Sequence, residues 1–534
     1  MGEKRTGQAT TRFAGPKAYR YLIILIAPLL VIGILWTGFQ VLAAPVSPDT
    51  VITVTTLADS GTGSLRDAIL NASAGGTIEF APDLSGQTIV LSQELTITKD
   101  LTIHGNVPIT ISGGHAARVF QVTAGNVTFD NLVIAHGFVN SSGGGGILLS
   151  DASVVVTVTN SIVMSNTAYS GGGIYSRGAT TIISGSKLIG NTGSNSAGAF
   201  ANDFSGAGVI YNSVISENVT FGYSESVYNY RGPLTVTASI FYGSSGDGLN
   251  RAGLLNEFGE VAINTTLFLN HSGSGIDNYN GDLTVDNSAF ISNLAGIGSS
   301  GGRLTVHNST FSGNTRTVGS GIYNSFSIFR LYNTILANSP NGDDCFSNVE
   351  LSADAHNLIE NNNAANPCGT PISTVDPLLA PLRDNGGATP TLGLLPGSPA
   401  IDRGDNATCL SQDQRSVPRP QDGNGDGTAV CDIGAFEVTS HALTISLAGT
   451  GDGAVLSIPS GIDCDPDCTE FYAYGTVVTL TAVSINNSVF AGWGGVCSSI
   501  SAQCVVTMDT DQTVTAAFNT NPGHYLFLPT ILVD

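Results

Sequence analysis

The amino-acid sequence predicts an all-β protein whose main body is a right-handed parallel β-helix, followed by a small C-terminal β-domain. The main observation is a unit of about 25 residues that recurs through the middle of the chain. The composition agrees, because the chain contains 66 glycines and only 11% charged residues, while 42% of its residues are hydrophobic. A chain this apolar is not a disordered acidic polymer, and it can bury a continuous core.

The repeated units align on one asparagine each. Their spacing runs from 21 to 29 residues when two weaker copies, around Gly185 and Ala238, are included. The aligned asparagines are Asn131, Asn160, Asn212, Asn264, Asn287, Asn308 and Asn333. A second asparagine closes most units: Asn166, Asn191, Asn218, Asn270, Asn293, Asn314 and Asn338.

Each unit reads as three short strands joined by three turns. An alternating strand precedes the first asparagine, a short apolar strand follows it, and a third strand comes after a Gly-rich turn such as GGGILL at 143 or GSGIDN at 273. No unit holds a helix long enough for a βαβ crossover, which excludes doubly wound sheets and TIM barrels. We expect about nine to eleven coils.

The residue choices have physical reasons. Coils stack at roughly 4.8 Å, the spacing of neighbouring strands, so equivalent residues lie above one another. Inward aliphatic residues then form the core, and glycines supply the positive φ of tight corners. The first asparagine of each unit is predicted to bond its amide to the asparagines above and below, in a structural ladder rather than a binding site.

A short helix is predicted before the first coils. Ser64 and Asp67 form a capping box, and Leu65, Ala68 and Ile69 share one face. The open end of a solenoid must be covered, so we place this helix over the N-terminal opening.

The N-terminus reads as an export signal. A basic leader precedes an apolar run over residues 21–36, and small residues at 41–44 offer a cleavage site. The alternative is an uncleaved anchor, because residues 21–44 are long enough to span a bilayer. Both interpretations predict a secreted or cell-surface protein that contacts a membrane only through this segment, and only if it is uncleaved.

Charge limits the partners further. The net charge is −22, and five of the 19 basic residues lie in the first twenty positions. An acidic body of this kind repels nucleic acid and anionic lipid. Extracellular polysaccharides or cell-surface glycans are the partners that we expect.

All eight cysteines lie beyond residue 344, and an even count in an exported chain predicts disulfides. Neighbours in sequence would pair, but eight cysteines allow 105 pairings and the sequence does not choose among them. Zinc is the alternative for the last four. The cysteines are Cys345, Cys368, Cys409, Cys431, Cys464, Cys468, Cys497 and Cys504.

Catalytic residues are not evident. Sugar hydrolysis needs two nearby carboxylates, and the acids of the coils look isolated. Asp277, Asp282 and Asp286 are the nearest cluster, with solvated corners the preferred interpretation. No motif links Arg251, Arg303 or Arg316 to acids, and the histidines lack metal-ligand spacing. The acids are Asp130, Glu217, Asp247, Glu257, Asp277, Asp282 and Asp286; the histidines are His104, His115, His136, His271 and His307.

One segment suggests a metal ion. Asp422, Asn424 and Asp426 alternate with glycines as at the start of a calcium loop, although Ile433 stands where the twelfth-position Glu is expected. Calcium is the only cofactor that the sequence suggests. The alternative is a Gly/Asp turn held by Cys409 and Cys431.

Several motifs resemble known families. GSLRDAI resembles the SLREAI-type motif of exported bacterial β-helix proteins, and units ending in FISN or FSGN are similar to repeats of polymorphic outer-membrane adhesins. Across residues 50–438 the chain resembles the choice-of-anchor Q family, which implies a right-handed β-helix at the cell surface or secreted, without a known catalytic set. The matching segments are HNLIENN from His356, STVDPLLAPLRDNGGATPTLGLLPGSPAIDRGD from Ser373, DQRSVPRPQDG from Asp413 and CDIGAFE from Cys431.

Residues 441–519 are similar to an internalin-B-type B-repeat, with FAGW around Trp493 and a closing TVTAAF. Such modules are extracellular spacers or binding modules. The tail HYLFLPTILVD is a candidate sorting or anchoring signal, but it departs from a sortase signal because Leu528-Pro529-Thr530 lacks the following Gly, a long hydrophobic span and terminal basic residues. Its role stays open.

The predicted organisation is a signal peptide or anchor at 1–44, a cap at 45–92, coils at 93–345, a disulfide-containing end at 346–438, the B-repeat-like domain at 439–519 and a tail at 520–534. The predicted function is a non-catalytic adhesin, glycan-binding or structural surface protein. The alternative is a lyase or glycoside hydrolase that acts on extracellular polysaccharide.

Overall fold

The computed structural model describes residues 51–221, 225–243, 252–464 and 468–521. The predicted export segment at 1–44, Asp247, Arg251 and the tail beyond residue 521 lie outside the described residues. Among the described residues, no helix is long and apolar enough to cross a membrane.

The main body is a parallel β-helix, which confirms the predicted fold class. Its chain visits three sheets in turn, and these contain 13, 12 and 11 strands, here called sheets 1, 2 and 3. Neighbouring strands within each sheet are parallel and in register, as in the pairing of residues 155–159 with 180–184. There are about twelve coils rather than nine to eleven, because strands from residues 51–90, assigned to the cap, already belong to sheets 1 and 2.

The strand bounds follow the repeat. Sheet 1 comprises Val51–Val54, Gly76–Phe80, Leu101–His104, Asn126–Asp130, Val155–Thr159, Thr180–Ser184, Ala207–Tyr211, Pro233–Thr237, Glu260–Asn264, Asp282–Asp286, Arg303–His307, Ile328–Tyr332 and Ala353–Ala355. Sheet 2 comprises Gln87–Val90, Ile109–Ser112, Val133–Ala135, Ile162–Met164, Lys187–Ile189, Val214–Ser216, Ile240–Tyr242, Leu267–Leu269, Ala289–Ile291, Thr310–Ser312, Ile335–Ala337 and Leu358–Ile359. Sheet 3 comprises Leu95–Ile97, Phe120–Val122, Ile147–Leu149, Ile174–Arg177, Phe200–Asp203, Glu225–Tyr230, Ala252–Glu257, Ser274–Tyr279, Ala295–Ser300, Ile322–Ser325 and Cys345–Ser347.

A smaller parallel sheet, here called the outer sheet, is formed by segments between sheets 2 and 3. Its strands are Thr167–Ser170, Thr192–Ser196 and Val219–Thr220. The longer connections of these coils therefore build an additional layer outside the solenoid.

The core is a stack of equivalent side chains. Phe241, Phe268, Phe290 and Phe311 are fully buried, and successive rings stack with centroids 4.6, 4.9 and 4.6 Å apart. This spacing matches the distance between neighbouring strands, so the in-register pairing makes the rings meet face to face.

The predicted N-terminal helix is confirmed at Leu65–Asn71, and a 3-10 turn follows at Pro82–Leu84. The Ser64 side chain accepts a hydrogen bond from the Asp67 backbone N–H at 3.2 Å. Leu65, Ala68 and Ile69 are buried in the same apolar cluster as the first coils. The helix is held by its cap and by this apolar face.

The asparagine ladder forms, but not from the predicted residues. Six of the seven aligned asparagines have positive φ, and Asn131, Asn160 and Asn212 are exposed at their corners. The hydrogen bonds that the structure describes do not join the seven to one another. The ladder instead uses the second asparagine of several units: Asn166 donates to Asn191 and Asn191 to Asn218, both at 3.0 Å. Asn270 and Asn338 are exceptions, because they have positive φ and are exposed. The left-handed corner turns the first side chain away from the interior, whereas the second one is buried at Asn166, Asn191, Asn218, Asn293 and Asn314.

The eight cysteines form four disulfides between sequence neighbours, Cys345–Cys368, Cys409–Cys431, Cys464–Cys468 and Cys497–Cys504. Disulfides persist in oxidising compartments, which favours an extracellular location.

Residues 373–438, here called the arm, cover the outer face of sheet 2 over the last coils. Outward residues such as Leu267 and Ile335 pack against Leu392 and Phe436 of the arm. Two corner asparagines of the predicted ladder anchor it, because the Gly434 N–H donates to the Asn333 carbonyl at 2.8 Å and the Leu410 N–H donates to the Asn308 side chain at 3.0 Å.

The arm contains a buried network of charges. Arg415 contacts Asp413 at 2.7 Å and lies over the Phe436 ring at 3.5 Å, while Arg419 lies 3.5 Å from Glu437. Burial raises the pKa of Glu437 to about 7, against the opposing charge of Arg419. Burial also raises the pKa of Asp432, which faces Glu437. This end of the solenoid is therefore fixed by ionisable groups as well as by apolar contact.

The C-terminal domain has two four-stranded sheets, and most of its neighbouring strands are antiparallel. Its core includes Trp493 and Phe518, which contact Phe490 from two sides. The strands are Ser440–Gly449, Asp452–Ile458, Asp463–Cys464, Thr469–Ala473, Val477–Ile485, Ser488–Gly495, Gln503–Thr507 and Gln512–Thr520.

Candidate functional site

The corner between sheet 3 and sheet 1 carries bulky residues in an unfavourable backbone conformation. Phe204, Arg231 and Phe258 occupy equivalent places on successive coils, with φ of 55°, 61° and 56°. Only a few per cent of non-glycine residues adopt positive φ, and bulky side chains are the least suited to it. Phe204 and Phe258 are nevertheless 55% and 52% exposed. We call these three residues the aromatic corner.

A buried asparagine ladder holds this corner. Asn229 donates its amide to the Gly232 carbonyl of its own corner at 2.8 Å and to the Asn256 side chain of the next coil at 2.9 Å. Asn256 repeats the pattern with the Gly259 carbonyl at 3.0 Å and with Asn278 at 2.8 Å. Each amide thus fixes the corner and joins two coils, so the interior maintains a backbone that the exposed side chains disfavour.

The exposed side chains of the aromatic corner interact along the helix axis. The Arg231 guanidinium carbon lies 4.8 Å from the centre of the Tyr230 ring and 5.9 Å from that of Phe258. Arg177 lies 5.2 Å from the centre of the Phe204 ring. These cation–π contacts make one aromatic and cationic surface across neighbouring coils.

Two tyrosine–carboxylate pairs lie beside this surface on the outer face of sheet 3. The Tyr175 hydroxyl donates to Asp203 at 2.9 Å, and the Tyr228 hydroxyl donates to Glu257 at 2.7 Å. Burial and the neighbouring carboxylate raise the pKa of both tyrosines. Both hydroxyls therefore stay protonated at neutral pH and keep the carboxylates in place.

A groove of about 550 Å³ runs between this face and the outer sheet. Tyr175, Tyr228 and Glu257 form its floor, and Tyr169, which is 47% exposed, lies on the opposite wall. Aromatic faces combined with hydroxyls, carboxylates and guanidinium groups suit a ligand that is apolar on its ring faces and polar at its edges.

The acids that looked clustered in sequence are separated by the fold. Asp282 and Asp286 lie on the outer face of sheet 1, where Asp282 is 3.9 Å from Arg303 and Asp286 is 2.8 Å from His307. Asp277 belongs to a sheet 3 strand instead. Sequence distance therefore misrepresents the neighbourhood of these carboxylates.

The remaining predicted acids and histidines occupy scattered places. Asp130 is bound to His104 at 2.8 Å, and Glu217 has positive φ at a corner after sheet 2. The His115 and His136 rings lie 4.7 Å apart. His271 is buried, and desolvation lowers its pKa to about 4. These residues contribute to corners and to the packing of individual coils.

The predicted calcium loop forms hydrogen bonds to its own backbone. Asp422 accepts from the N–H groups of Gly425 and Gly427, both at 2.8 Å, and Asn424 accepts from the Asp426 N–H at 2.8 Å. Asp402 accepts from Asn424 at 2.7 Å, and burial with the nearby acids raises its pKa. Across the described ranges, no group of three or more His, Cys, Asp or Glu side chains is arranged to hold a metal ion. Calcium at Asp422, Asn424 and Asp426 stays a prediction.

The repeat pattern alone does not predict the aromatic corner, although the sequence contains a signal for it. An asparagine recurs two residues before each corner, and a glycine follows most of these corners, as in Asn-Tyr-Arg-Gly at 229–232 and Asn-Glu-Phe-Gly at 256–259. The residue between them varies among Phe, Arg and Asn. This variation indicates that the side chain at this position points outward. The bulky residues found there form the aromatic corner.

Comparisons with known proteins give a domain match at the C-terminus and distant structural similarity elsewhere. No curated protein matches the sequence. The solved structure of pectate lyase Pel9A aligns with a TM-score of 0.43 and 16% identity over 73% of this chain and 97% of that one. That of the PL6 family alginate lyase AlyGC aligns with a TM-score of 0.40 and 12% identity over 76% of this chain and 62% of that one. Residues 446–522 match the model of the divergent InlB B-repeat domain, so the predicted B-repeat at the C-terminus is confirmed.

Proposed function

We propose that this protein binds an extended extracellular polysaccharide along the outer face of sheet 3. The observation that carries the proposal is the aromatic corner, where Phe204 and Phe258 keep exposed rings on a strained backbone. Asparagine or glycine would occupy these positions at lower cost, so the rings are best explained by what they contact.

The geometry fits a polymer. The two phenylalanines are two coils apart, which is about 10 Å from the strand spacing and similar to the length of a disaccharide. Sugar rings stack on aromatic faces, and their hydroxyls bond to groups such as those of Tyr175, Glu257 and Arg231. The solenoid repeats this surface along its axis, as an extended ligand requires. The B-repeat domain is the spacer or second binding module of a secreted or surface-attached protein.

Binding is tested by affinity electrophoresis in gels that contain soluble xylan, hydroxyethyl cellulose, polygalacturonate or alginate. We expect retardation by at least one polymer, and loss of that retardation when Phe204→Asn and Phe258→Asn are combined. Leu378→Asn is the matched control, because Leu378 also has positive φ and is 38% exposed but lies in the arm, which covers sheet 2. No retardation by any of the four polymers contradicts the proposal.

We also propose that calcium binds the loop of Asp422, Asn424 and Asp426. The alternating oxygen ligands and the neighbouring Asp402 support it. A chelator should then lower the melting temperature of the wild type but not of Asp422→Asn. An unchanged wild-type melting temperature rejects calcium at this loop.

A further inference from the structure

The groove on the outer face of sheet 3 presents two carboxylates to its ligand. Asp203 and Glu257 both line this groove, whose volume is about 550 Å³. They belong to two strands of sheet 3 that are separated by one strand, Glu225–Tyr230. Burial, the hydrogen bond to Glu257 and the charges of both acids raise the pKa of the Tyr228 hydroxyl on that middle strand. The floor of the groove is therefore acidic over three successive coils.

Both carboxylates keep oxygen lone pairs for a ligand. Asp203 accepts the Tyr175 hydroxyl at 2.9 Å and the Phe204 N–H at 2.8 Å. Glu257 accepts the Tyr228 hydroxyl at 2.7 Å. An ionised carboxylate has about four lone-pair sites, so each acid has room for further donors. The ion pairs that the described residues form include neither acid, and both charges are therefore open to a cation.

The hydroxyl groups of the groove add acceptors rather than donors. Tyr175 and Tyr228 direct their O–H groups at the two carboxylates, so their oxygens are left to accept from a ligand. On the opposite wall, the hydroxyls of Ser170 and Ser196 bond to each other at 2.6 Å, which uses one of their two protons. These groups offer a ligand mainly acceptors, and they suit a sugar that is rich in O–H and N–H donors.

The arginines of this surface lie against aromatic rings at its edge. The Arg177 guanidinium carbon is 5.2 Å from the centre of the Phe204 ring, and Arg231 packs on rings of the neighbouring coils. Among the described residues that line the groove, Arg177 is the one positive charge, against Asp203 and Glu257. The net charge of the chain is −22. A sugar carboxylate therefore meets repulsion here, whereas a sugar ammonium group meets attraction.

We propose that this groove selects a polysaccharide whose sugar units carry amino groups, such as a glucosamine polymer of the chitosan type, and that it disfavours polymers of uronic acids. This inference rests on the proposed function. The sugar rings pack on Tyr169 and on the aromatic corner, and a protonated amino group binds Asp203 or Glu257. A hydrogen bond between two charged groups is stronger than one between neutral groups, so the amino group adds affinity that a hydroxyl in its place does not.

The test compares three polymers that share one glucan-type backbone and differ in the group they carry. Soluble chitosan carries amino groups, hydroxyethyl cellulose is neutral, and polyglucuronate carries carboxylates. Binding to the full chain is measured by calorimetry in mildly acidic buffer, in which chitosan is protonated. We expect chitosan to bind about tenfold more tightly than hydroxyethyl cellulose, and polyglucuronate to bind most weakly. The preference for chitosan should shrink as salt is added, because salt screens the attraction.

Two substitutions assign the preference to the carboxylates. Asp203→Asn and Glu257→Gln each keep an acceptor oxygen but remove the charge. Each should lower the affinity for chitosan by about tenfold while the affinity for hydroxyethyl cellulose is retained. Asp282→Asn is the matched control, because it removes the same charge from sheet 1, where the Asp282 side chain is 58% exposed. This control should leave both affinities unchanged.

The outcomes separate this inference from the binding proposal. A polymer without amino groups that binds as tightly as chitosan overturns the selection of amino sugars and leaves polysaccharide binding standing. A preference for chitosan that survives both substitutions overturns the role of Asp203 and Glu257. A preference for polyglucuronate that Arg177→Gln abolishes would assign the selection to the guanidinium group instead. Failure to bind chitosan and the neutral polymers contradicts both proposals.

Discussion

The corner after sheet 1 and the corner after sheet 3 share a left-handed backbone but differ in the side chains that occupy it. The corner after sheet 1 uses mainly asparagine, as at Asn131, Asn160 and Asn212, all with positive φ. The corner after sheet 3 uses Phe204, Arg231 and Phe258 at similar φ. Asparagine is what the backbone alone selects. The backbone alone therefore does not explain the bulky residues at the corner after sheet 3. We propose that they serve polysaccharide binding.

The largest expected effect comes from removing the ladder that supports the aromatic corner. Asn256→Ala deletes hydrogen bonds to the Gly259 carbonyl and to Asn278, and it leaves buried groups unpaired. We expect the free energy of unfolding to fall by about 2 to 4 kcal/mol, as measured by denaturant unfolding. Asn280→Ala, at the exposed corner of the next coil, is the control. Equal losses in the two variants would mean that the ladder does not support the corner.

The late coils sharpen the comparison, because the arm covers the sheet 1 corner at Asn308 and Asn333. Glu437 of the arm has a pKa raised from 4.5 to about 7, so the folded state binds a proton more tightly than the unfolded state. Its stabilising contribution is complete below pH 4.5 and is lost as pH rises through 7.

The melting temperature should accordingly fall by about 2 to 4 °C between pH 5 and pH 8. Glu437→Gln should reduce this dependence when both proteins are compared by calorimetry over the same range. A wild-type melting temperature that rises over this range would show that burial of Glu437 does not control the stability of the arm.

The smallest effect is expected at the exposed sheet 1 corner. Asn212→Gly keeps a residue that accepts positive φ, so the free energy of unfolding should change by only about 0.5 kcal/mol. Polysaccharide binding should be unchanged in affinity electrophoresis. Loss of binding in this variant would remove the distinction between the two corners.

The sequence predicts the solenoid well because the fold is periodic. A recurring asparagine with alternating apolar residues indicates stacked strands, and Ser64 with Asp67 indicates the helix cap. Periodicity does not indicate, however, whether a given side chain points into or out of the solenoid. The repeat predicts an inward side chain for the first asparagine of each unit, whereas the left-handed backbone turns it outward and the ladder forms between second asparagines such as Asn166 and Asn191.

The site could not be predicted for a related reason. Sequence distance groups Asp277 with Asp282, although the two lie on different sheets, and it leaves Glu257 isolated although Glu257 is diagonal to Asp277. The register between coils brings Glu257 next to Asp277. That register depends on the length of every connecting loop. The aromatic corner likewise becomes visible only when φ and exposure are known.

The central claim is that the residues of the aromatic corner lower the stability of the fold but increase its affinity for polysaccharide. The Phe258→Asn variant tests this claim most directly. Melting temperature and polysaccharide affinity should be measured on the same protein. Relief of the backbone strain should leave the melting temperature unchanged or higher, while loss of the ring should weaken binding about tenfold. Leu378→Asn, in the arm, should show the same thermal response with full affinity. A Phe258→Asn variant that melts lower and binds as tightly as the wild type would contradict the account, because the ring would then serve the fold.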